Sequence, residues 1–248
     1  MPKSNYEDAL NHKYRVYADG PTVPGVTSVI GIIDKPALKW ASAKIAAQTA
    51  VDNYHEMTDR DEFIHQCRGE FDRQWREKAK RGNRVHSVAE EWAKGNTVEV
   101  PLSDQGFIDA LEKFYLDCLP MTVMAERVVV HPVMHYGGRF DAIMDIDERE
   151  YLIDFKTGGK YPLDVAMQTA AYMKASLAVY DDDGALGHFE PLPDLAGARI
   201  IYLAEDGSYA FVDPFEDIPL EKAFEAFTHA LGLHRSIKEM EKMTKEKK

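Results

Sequence analysis

The chain has 248 residues, of which 45% are hydrophobic and 29% are charged, which is typical of one folded domain with or without a helical annex. Two cysteines, Cys67 and Cys118, are too few for a disulfide framework or a four-cysteine iron–sulfur cluster, and they fit a reducing compartment. The formal net charge of -12 would repel a polyanion on average, so binding of nucleic acid would require a local concentration of positive charge.

Nothing in the sequence predicts a membrane or secreted protein. No segment approaches the length of an apolar membrane span, and the N-terminal MPKSNYEDALNHKYRVY lacks the apolar core of a secretory signal. We therefore expect a cytoplasmic protein with no membrane association.

The first half of the chain is predicted to be mostly helical. Residues 35–54 carry apolar residues at helical spacing, with Pro36 in the first turn. A second helix is expected from about Asp59 to Lys80, with a break near Gly82. It then resumes with a buried stripe formed by Val85, Val88, Ala89 and Trp92. A further helix over 103–120 is expected to begin with a Ser103 cap and to stop at Pro120.

One segment of this helical half is strongly basic. In RQWREKAKRGNR, residues 73–84, six of twelve residues are Arg or Lys. Taken alone, this run is either a solvated helix face or a surface that contacts nucleic acid. Trp75 within it either stacks on a base or anchors a core.

Strand signals dominate after residue 120. The β-branched segment 122–132 reads as one strand, and GRFDAIMDI and YLIDFKT flank the polar turn DERE. Residues 162–180 have the length and composition of a helix. ARIIYLA and SYAFVD predict a second hairpin, and PLEKAFEAFTHALGLHRSIKEM predicts a closing helix. The predicted fold class is α/β or α+β, with a central mixed sheet flanked by helices.

The first hairpin brings three ionisable residues together. If DERE forms a symmetric turn that pairs Ile146 with Tyr151, Asp141 lies opposite Lys156 and Asp154 is its diagonal neighbour, all on one side of the sheet. This cluster is either a structural ion pair at a sheet edge or a functional site, because burying an excess charge without a purpose is costly.

Several motifs in order along the chain resemble a known family. They are PGVTSVI and Leu38-Lys39-Trp40, His86 four residues after Gly82, Gly138-x-x-Asp141, Asp154-x-Lys156-Thr157 and Gln168-x-x-x-Tyr172. Over about residues 14–172 the sequence resembles the PD-(D/E)XK nuclease superfamily, in particular the RecB-type branch with its phage exonucleases. Phe140 stands where the superfamily's nominal motif has proline, a departure that this branch shares.

The resemblance implies a restriction-endonuclease-like core and a divalent-metal-dependent DNA nuclease, most simply a phage-type exonuclease that leaves 5′-phosphates in recombination or end processing. Asp141, Asp154 and Lys156 would be catalytic. Mg²⁺ or Mn²⁺ would be bound by His86, Asp141, Asp154 and the Phe155 carbonyl oxygen. Lys156 would orient or activate the attacking water.

The same resemblance gives roles to residues around this centre. Gln168 and Tyr172 would position the site or the DNA strand, and Arg81 and Arg84 would grip phosphates with little sequence preference. Glu90, one turn beyond His86, resembles a further acid of the branch. Each of these residues also has a plainly structural interpretation, such as a packed tyrosine or an exposed helix glutamate.

We therefore predict a single nuclease domain over residues 1–248. Its helical N-terminal part covers about 35–120, its catalytic core about 82–213, and its C-terminal helix and tail about 216–248. Neither an iron–sulfur cluster nor a nucleotide cofactor is expected. A recombination protein is a candidate partner, in the bacterial host cytoplasm if a phage encodes the chain. The alternatives are a noncatalytic DNA-end-binding module, an endonuclease of the same superfamily, or an unrelated hydrolase such as a two-carboxylate glycosidase.

Overall fold

A computed structural model gives the structure of residues 4–158 and 162–245, and it confirms an α+β fold with a central mixed sheet. The helices are α1 (Asn5–Leu10), α2 (Val26–Ile30), α3 (Pro36–Asp52), α4 (Arg60–Ala93), α5 (Gln105–Cys118), α6 (Pro162–Met173) and α7 (Leu220–Lys245), with 3₁₀ turns at Tyr54–Glu56 and Leu102–Asp104. The strands are β1 (Tyr14–Arg15), β2 (Thr22–Val23), β3 (Met121–Ala125), β4 (Val128–His131), β5 (Tyr136–Arg139), β6 (Ala142–Ile146), β7 (Arg149–Lys156), β8 (Ser176–Tyr180), β9 (Leu186–Glu190), β10 (Gly197–Leu203) and β11 (Tyr209–Val212). Among the described helices, none combines the length and the apolar character needed to cross a lipid bilayer.

The chain divides into two compact units. The first unit contains the described residues up to Ile32 and those from Val85 onward, and it holds the strands named above. The second unit contains Ile33–Arg84, which includes α3 and the first part of α4.

The helical predictions are mostly confirmed, with two corrections. The predicted break near Gly82 is wrong, because α4 is one continuous helix. A single glycine costs about 1 kcal/mol relative to alanine, which is too little to end a helix flanked by good helix formers. The predicted Ser103 cap is also wrong: Ser103 lies in the 3₁₀ turn, and Asp104 occupies the N-cap position of α5 without a side-chain capping bond.

The central sheet of the first unit has the strand order β11-β10-β7-β6-β3. Strands β7 and β10 are parallel, and the other neighbours are antiparallel. The β6–β7 hairpin pairs Ile146 with Arg149, not with Tyr151 as predicted. Its turn is only two residues long, Asp147 and Glu148, and both have positive φ (53° and 62°), which is the primed turn that matches strand twist. The predicted register is therefore wrong by two residues.

A second antiparallel sheet has the order β5-β4-β8-β9. The prediction that residues 162–180 form one helix is wrong, because α6 ends at Met173 and the following strand β8 pairs Leu177 with Val129. Sheet pairing overrides helix propensity over this short apolar segment.

The two sheets are connected by a bent two-stranded ribbon, in which β3 and β4 form one strand and β5 and β6 form the other. The predicted strand 122–132 is two strands, β3 in the five-stranded sheet and β4 in the four-stranded sheet, with a break at Glu126 and Arg127. The ladder continues through the break, since the Glu126 N–H donates to the Asp141 carbonyl (2.8 Å) and the Phe140 N–H donates to the Arg127 carbonyl (3.2 Å). Glu126 takes a left-handed conformation, φ 52°, which bends the ribbon.

Helices cover both faces of the central sheet. On one face, α5 and the end of α4 pack on β6, β7 and β10, in a core that includes Val85, Val88, Leu111, Phe114, Met144, Ile153, Phe155 and Ile201. On the other face, Val165 of α6 packs against Ile200 and Tyr202 of β10. Side chains alternate along a strand, so Asp154 and Lys156, on either side of Phe155, lie on the face covered by α6.

Candidate functional site

The β6–β7 hairpin brings the predicted acids together, although not in the predicted pairing. The last pair of the hairpin ladder joins Ala142 to Ile153, so extending the register by one residue places Asp141 opposite Asp154, not opposite Lys156. A shift of two residues keeps every side chain on its original face. The expectation that the two acids and the lysine share one side of the sheet therefore survives the error in register.

Asp141 directly precedes the first residue of β6, and its carboxylate connects the sheet to α4. Asp141 Oδ2 accepts a hydrogen bond from the Phe155 N–H (2.8 Å) and lies 3.2 Å from Nδ1 of His86. Burial acts to raise the pKa of Asp141, but the His86 imidazole, the Lys156 ammonium and the Phe155 N–H together lower it. Asp141 is therefore held as a carboxylate.

Asp154 is the more deeply buried acid, with 3% of its surface exposed. Its Oδ2 lies 2.5 Å from Nζ of Lys156, and its Oδ1 accepts a hydrogen bond from Nε2 of Gln168 (3.2 Å). Burial raises the pKa of Asp154, and the negative charge of Asp141 adds to this effect, although Lys156 opposes both. The two acids are thus close enough to repel each other, and Lys156 forms its ion pair with only one of them.

The cationic members of the cluster respond to both acids. Burial acts to lower the pKa of Lys156, but the charges of Asp154 and Asp141 raise it overall, so the ammonium keeps its proton. Burial likewise acts to lower the pKa of His86, and the neighbouring Asp141 raises it overall. About 29% of the His86 side chain and 28% of the Lys156 side chain remain exposed, so the cluster opens toward solvent on the side of these two residues.

Helix α6 supplies the next layer of contacts. Nε2 of Gln168 also donates to the hydroxyl of Tyr172 (3.3 Å), one turn further along the helix. Tyr172 is 3% exposed, and burial together with the nearby Asp154 charge raises the pKa of its hydroxyl. A Cβ at Gly138 would overlap the Tyr172 ring, so the glycine of the Gly-x-x-Asp motif is what lets this ring reach the site.

Glu126 is a further acid of this region that the sequence did not predict. Its carboxylate forms an ion pair with Nε of Arg139 (2.9 Å), and only 15% of its side chain is exposed. Burial raises the pKa of Glu126 to about 7, with the charges of Asp141 and Glu90 adding to the shift and Arg139 opposing it. No motif marks this residue, and the only signal was an acid inside a β-branched segment.

The remaining predicted residues are placed as follows. Glu90 forms an ion pair with Lys94 (2.6 Å), and its negative charge contributes to the raised pKa of Glu126. Arg81 and Arg84 belong to the second unit, so their predicted phosphate contacts stay a prediction. Trp75, in the same unit, is 44% exposed and stacks on Phe71 with ring centroids 5.8 Å apart.

The donor atoms of the cluster suit a divalent cation. Among residues 4–158 and 162–245, no three His, Cys, Asp or Glu side chains form a ready-made metal site. Within these ranges, both polar contacts of the Asp141 carboxylate are made by Oδ2, so Oδ1 is the oxygen that could bind a cation. Carboxylate oxygens are the ligands that Mg²⁺ and Mn²⁺ prefer, and an excess of negative charge attracts such ions. Asp141 and Asp154, with His86 beside them, fit a divalent ion in chemical type.

Comparison with known proteins adds no assignment. No protein-family model matches this chain, and no curated protein matches its sequence significantly.

Proposed function

We propose that this protein is a divalent-metal-dependent DNA nuclease, acting as a phage-type exonuclease that hydrolyses phosphodiester bonds and leaves 5′-phosphates. Its substrate would be DNA read with little sequence preference, in recombination or end processing in the cytoplasm. A recombination protein is a candidate partner.

The observation that carries the proposal is the composition of the buried cluster. Two acids and one lysine share one side of the β6–β7 hairpin, and an imidazole from α4 lies 3.2 Å from Asp141. A structural ion pair needs one carboxylate for each cation. Here a second carboxylate, Asp141, lies beside the Asp154–Lys156 pair and raises the pKa of Asp154, so the two acids carry more negative charge than Lys156 alone neutralises. Such an arrangement is typical of a site that binds a cation.

The contacts of the cluster support the roles that the resemblance implies. A bound Mg²⁺ or Mn²⁺ would neutralise charge on the phosphate and favour ionisation of water. Asp141 and Asp154 would hold that ion, with His86 and the Phe155 carbonyl as further ligands. Gln168 keeps Asp154 in place through its 3.2 Å hydrogen bond. Lys156 keeps its proton, so its ammonium can orient the attacking water and stabilise the charge that develops on the phosphate.

End-labelled linear duplex DNA and closed circular DNA, each incubated with Mg²⁺, Mn²⁺ or a chelator, test the proposal. An exonuclease degrades only the linear substrate and only with metal. Lys156→Met should abolish cleavage, whereas the matched control Lys222→Met, in an exposed ion pair on α7, should cleave like the wild type. Cleavage of the circle would indicate an endonuclease, and binding of ends without cleavage in any metal would indicate a noncatalytic module. Unchanged cleavage by Lys156→Met would refute the assigned site.

The basic segment of the second unit supports DNA as the substrate. Six of the twelve residues from 73 to 84 are Arg or Lys in a chain that is otherwise acidic. We expect the variant Arg81→Gln with Arg84→Gln to bind DNA more weakly for every sequence and to show a smaller salt dependence of binding. Unchanged salt dependence would remove both arginines from the DNA interface.

A further inference from the structure

The ion pair between Glu126 and Arg139 lies next to Asp141 but outside the assigned site. In the continuous ladder of the bent ribbon, Glu126 is opposite Asp141, and Arg139 is its diagonal neighbour two residues before Asp141. The side chains meet at 2.9 Å with 15% and 28% of their surfaces exposed. This half-buried ion pair therefore links both strands of the ribbon where it passes from one sheet to the other.

Asp141 needs such support because it lies at the bend, beyond the last pair of the β6–β7 ladder. Strand β6 begins only at Ala142, and Asp141 lies at the bend, where its carbonyl accepts the Glu126 N–H (2.8 Å). Its carboxylate must meet both the Phe155 N–H and His86. A small rotation of the bend would move this carboxylate away from both partners.

We infer that Glu126, acting through Arg139, is a positioning residue that fixes the bend of the ribbon and thereby aims the Asp141 carboxylate at the cation site. The inference rests on the proposed function for its link to metal binding. Its structural part, the placement of Asp141, can be measured without metal.

A direct role of Glu126 as a metal ligand is the competing explanation, and Arg139 separates the two. If Glu126 binds the ion, Arg139→Gln frees its carboxylate and removes a nearby positive charge, so cation binding should tighten. If the ion pair fixes the bend, Arg139→Gln should weaken cation binding despite the favourable change in charge. Partners of metal ligands typically change metal affinity by about 10–100-fold when they are removed.

The experiment uses the full chain and the variants Glu126→Gln, Arg139→Gln and the double variant, with Mn²⁺ binding measured by calorimetry. We expect each single variant to bind Mn²⁺ about 10–100-fold more weakly and the double variant to be no worse than either. Arg15→Gln is the matched control, since the Arg15–Asp8 pair has 24% and 13% exposed side chains and lies at β1. It should leave Mn²⁺ affinity unchanged. Tighter binding by Arg139→Gln, or additive losses in the double variant, would overturn the inference.

A second readout decides the inference even if the protein binds no metal. The Phe155 N–H donates to Asp141 Oδ2, so displacement of that carboxylate should speed hydrogen exchange at this amide by roughly 2- to 10-fold relative to Leu152 and Ile153. NMR of the metal-free Glu126→Gln and Arg139→Gln proteins measures this ratio. An unchanged ratio in both would overturn the positioning role, while absence of Mn²⁺ binding and cleavage in the wild type would instead refute the proposed nuclease function. If Glu126→Gln does not fold, Arg139→Gln removes the same ion pair from the other side and decides the inference with both readouts.

Discussion

Replacing Lys156 by methionine should destabilise the metal-free protein in a way that depends on pH. Lys156 is the ion-pair partner of Asp154 at 2.5 Å, and only 4% of the Asp154 side chain is exposed. Removing one partner of a fully buried pair costs about 3–5 kcal/mol. Because 28% of the Lys156 side chain reaches solvent, we expect a loss of about 2–3 kcal/mol in the free energy of unfolding at pH 8.

The pH dependence follows from the raised pKa of Asp154. Burial and the Asp141 charge already raise this pKa, and loss of Lys156 removes the interaction that lowers it. Between the pKa of Asp154 in the unfolded chain and that in the folded variant, the folded state binds the additional proton, so stability falls as pH rises. As the pH falls, the acid of the folded variant takes up this proton and loses its charge, so we expect a smaller loss of stability at pH 5 than at pH 8.

Urea denaturation in chelator at pH 5 and pH 8 measures both losses. The double variant Lys156→Met with Asp154→Asn should recover most of the stability at pH 8, because no unpaired charge is left at position 154. Lys222→Met is the control for loss of an exposed lysine, and its stability should match that of the wild type at both pH values. Equal losses at pH 5 and pH 8, or a double variant no more stable than Lys156→Met, would show that Asp154 is not the group that Lys156 neutralises.

Three further changes test other parts of the structure. Gly106→Ala should lower the free energy of unfolding by at least about 3 kcal/mol, measured by urea denaturation, because the new Cβ would overlap the backbone carbonyl of Glu205; near-native stability would contradict this packing. Gly138→Ala should cost about 1–3 kcal/mol and reduce cleavage, since it displaces the Tyr172 ring, and a stable, fully active variant would count against the role of that ring. His86→Ala should raise the Mn²⁺ concentration needed for half-maximal cleavage by about 10–100-fold; an unaltered metal requirement would exclude the imidazole as a ligand or as a partner of one.

The sequence could predict which side chains share a face, but not which are directly paired. Side chains in a strand alternate with a period of two, so Asp154 and Lys156 share a face in any register. Asp141 lies on the same face as these two residues if the predicted register differs from the true one by an even number of residues. The actual shift of two residues arises from the positive φ of Asp147 and Glu148, and neither residue is a glycine or an asparagine that would announce such a turn.

The bend at Glu126 is harder to predict because its cause is not local. MAERVVV has the composition of an uninterrupted strand, and the ladder bonds do continue across the break. The chain bends because β3 and β4 belong to different sheets, which is a property of the whole fold. The ion pair with Arg139 then forms between residues thirteen positions apart that no periodic pattern connects. Because the composition of 122–132 predicts one straight strand, nothing in the sequence places Glu126 near the site.

The position of Asp141 at the end of a ladder explains why the cluster forms there. Along β6, backbone groups pair with β7 as far as Ala142 and Ile153, and beyond that point the ribbon turns toward the other sheet. A buried N–H without a partner costs about 1–3 kcal/mol, so the Phe155 N–H needs an acceptor other than a backbone carbonyl of the departing strand. The Asp141 side chain supplies that acceptor. This hydrogen bond holds the Asp141 carboxylate beside Asp154, at the point where the β6–β7 ladder ends. The same departure that removes a ladder partner thus leaves room for an imidazole from α4 and, in the proposed function, for a cation and a phosphate.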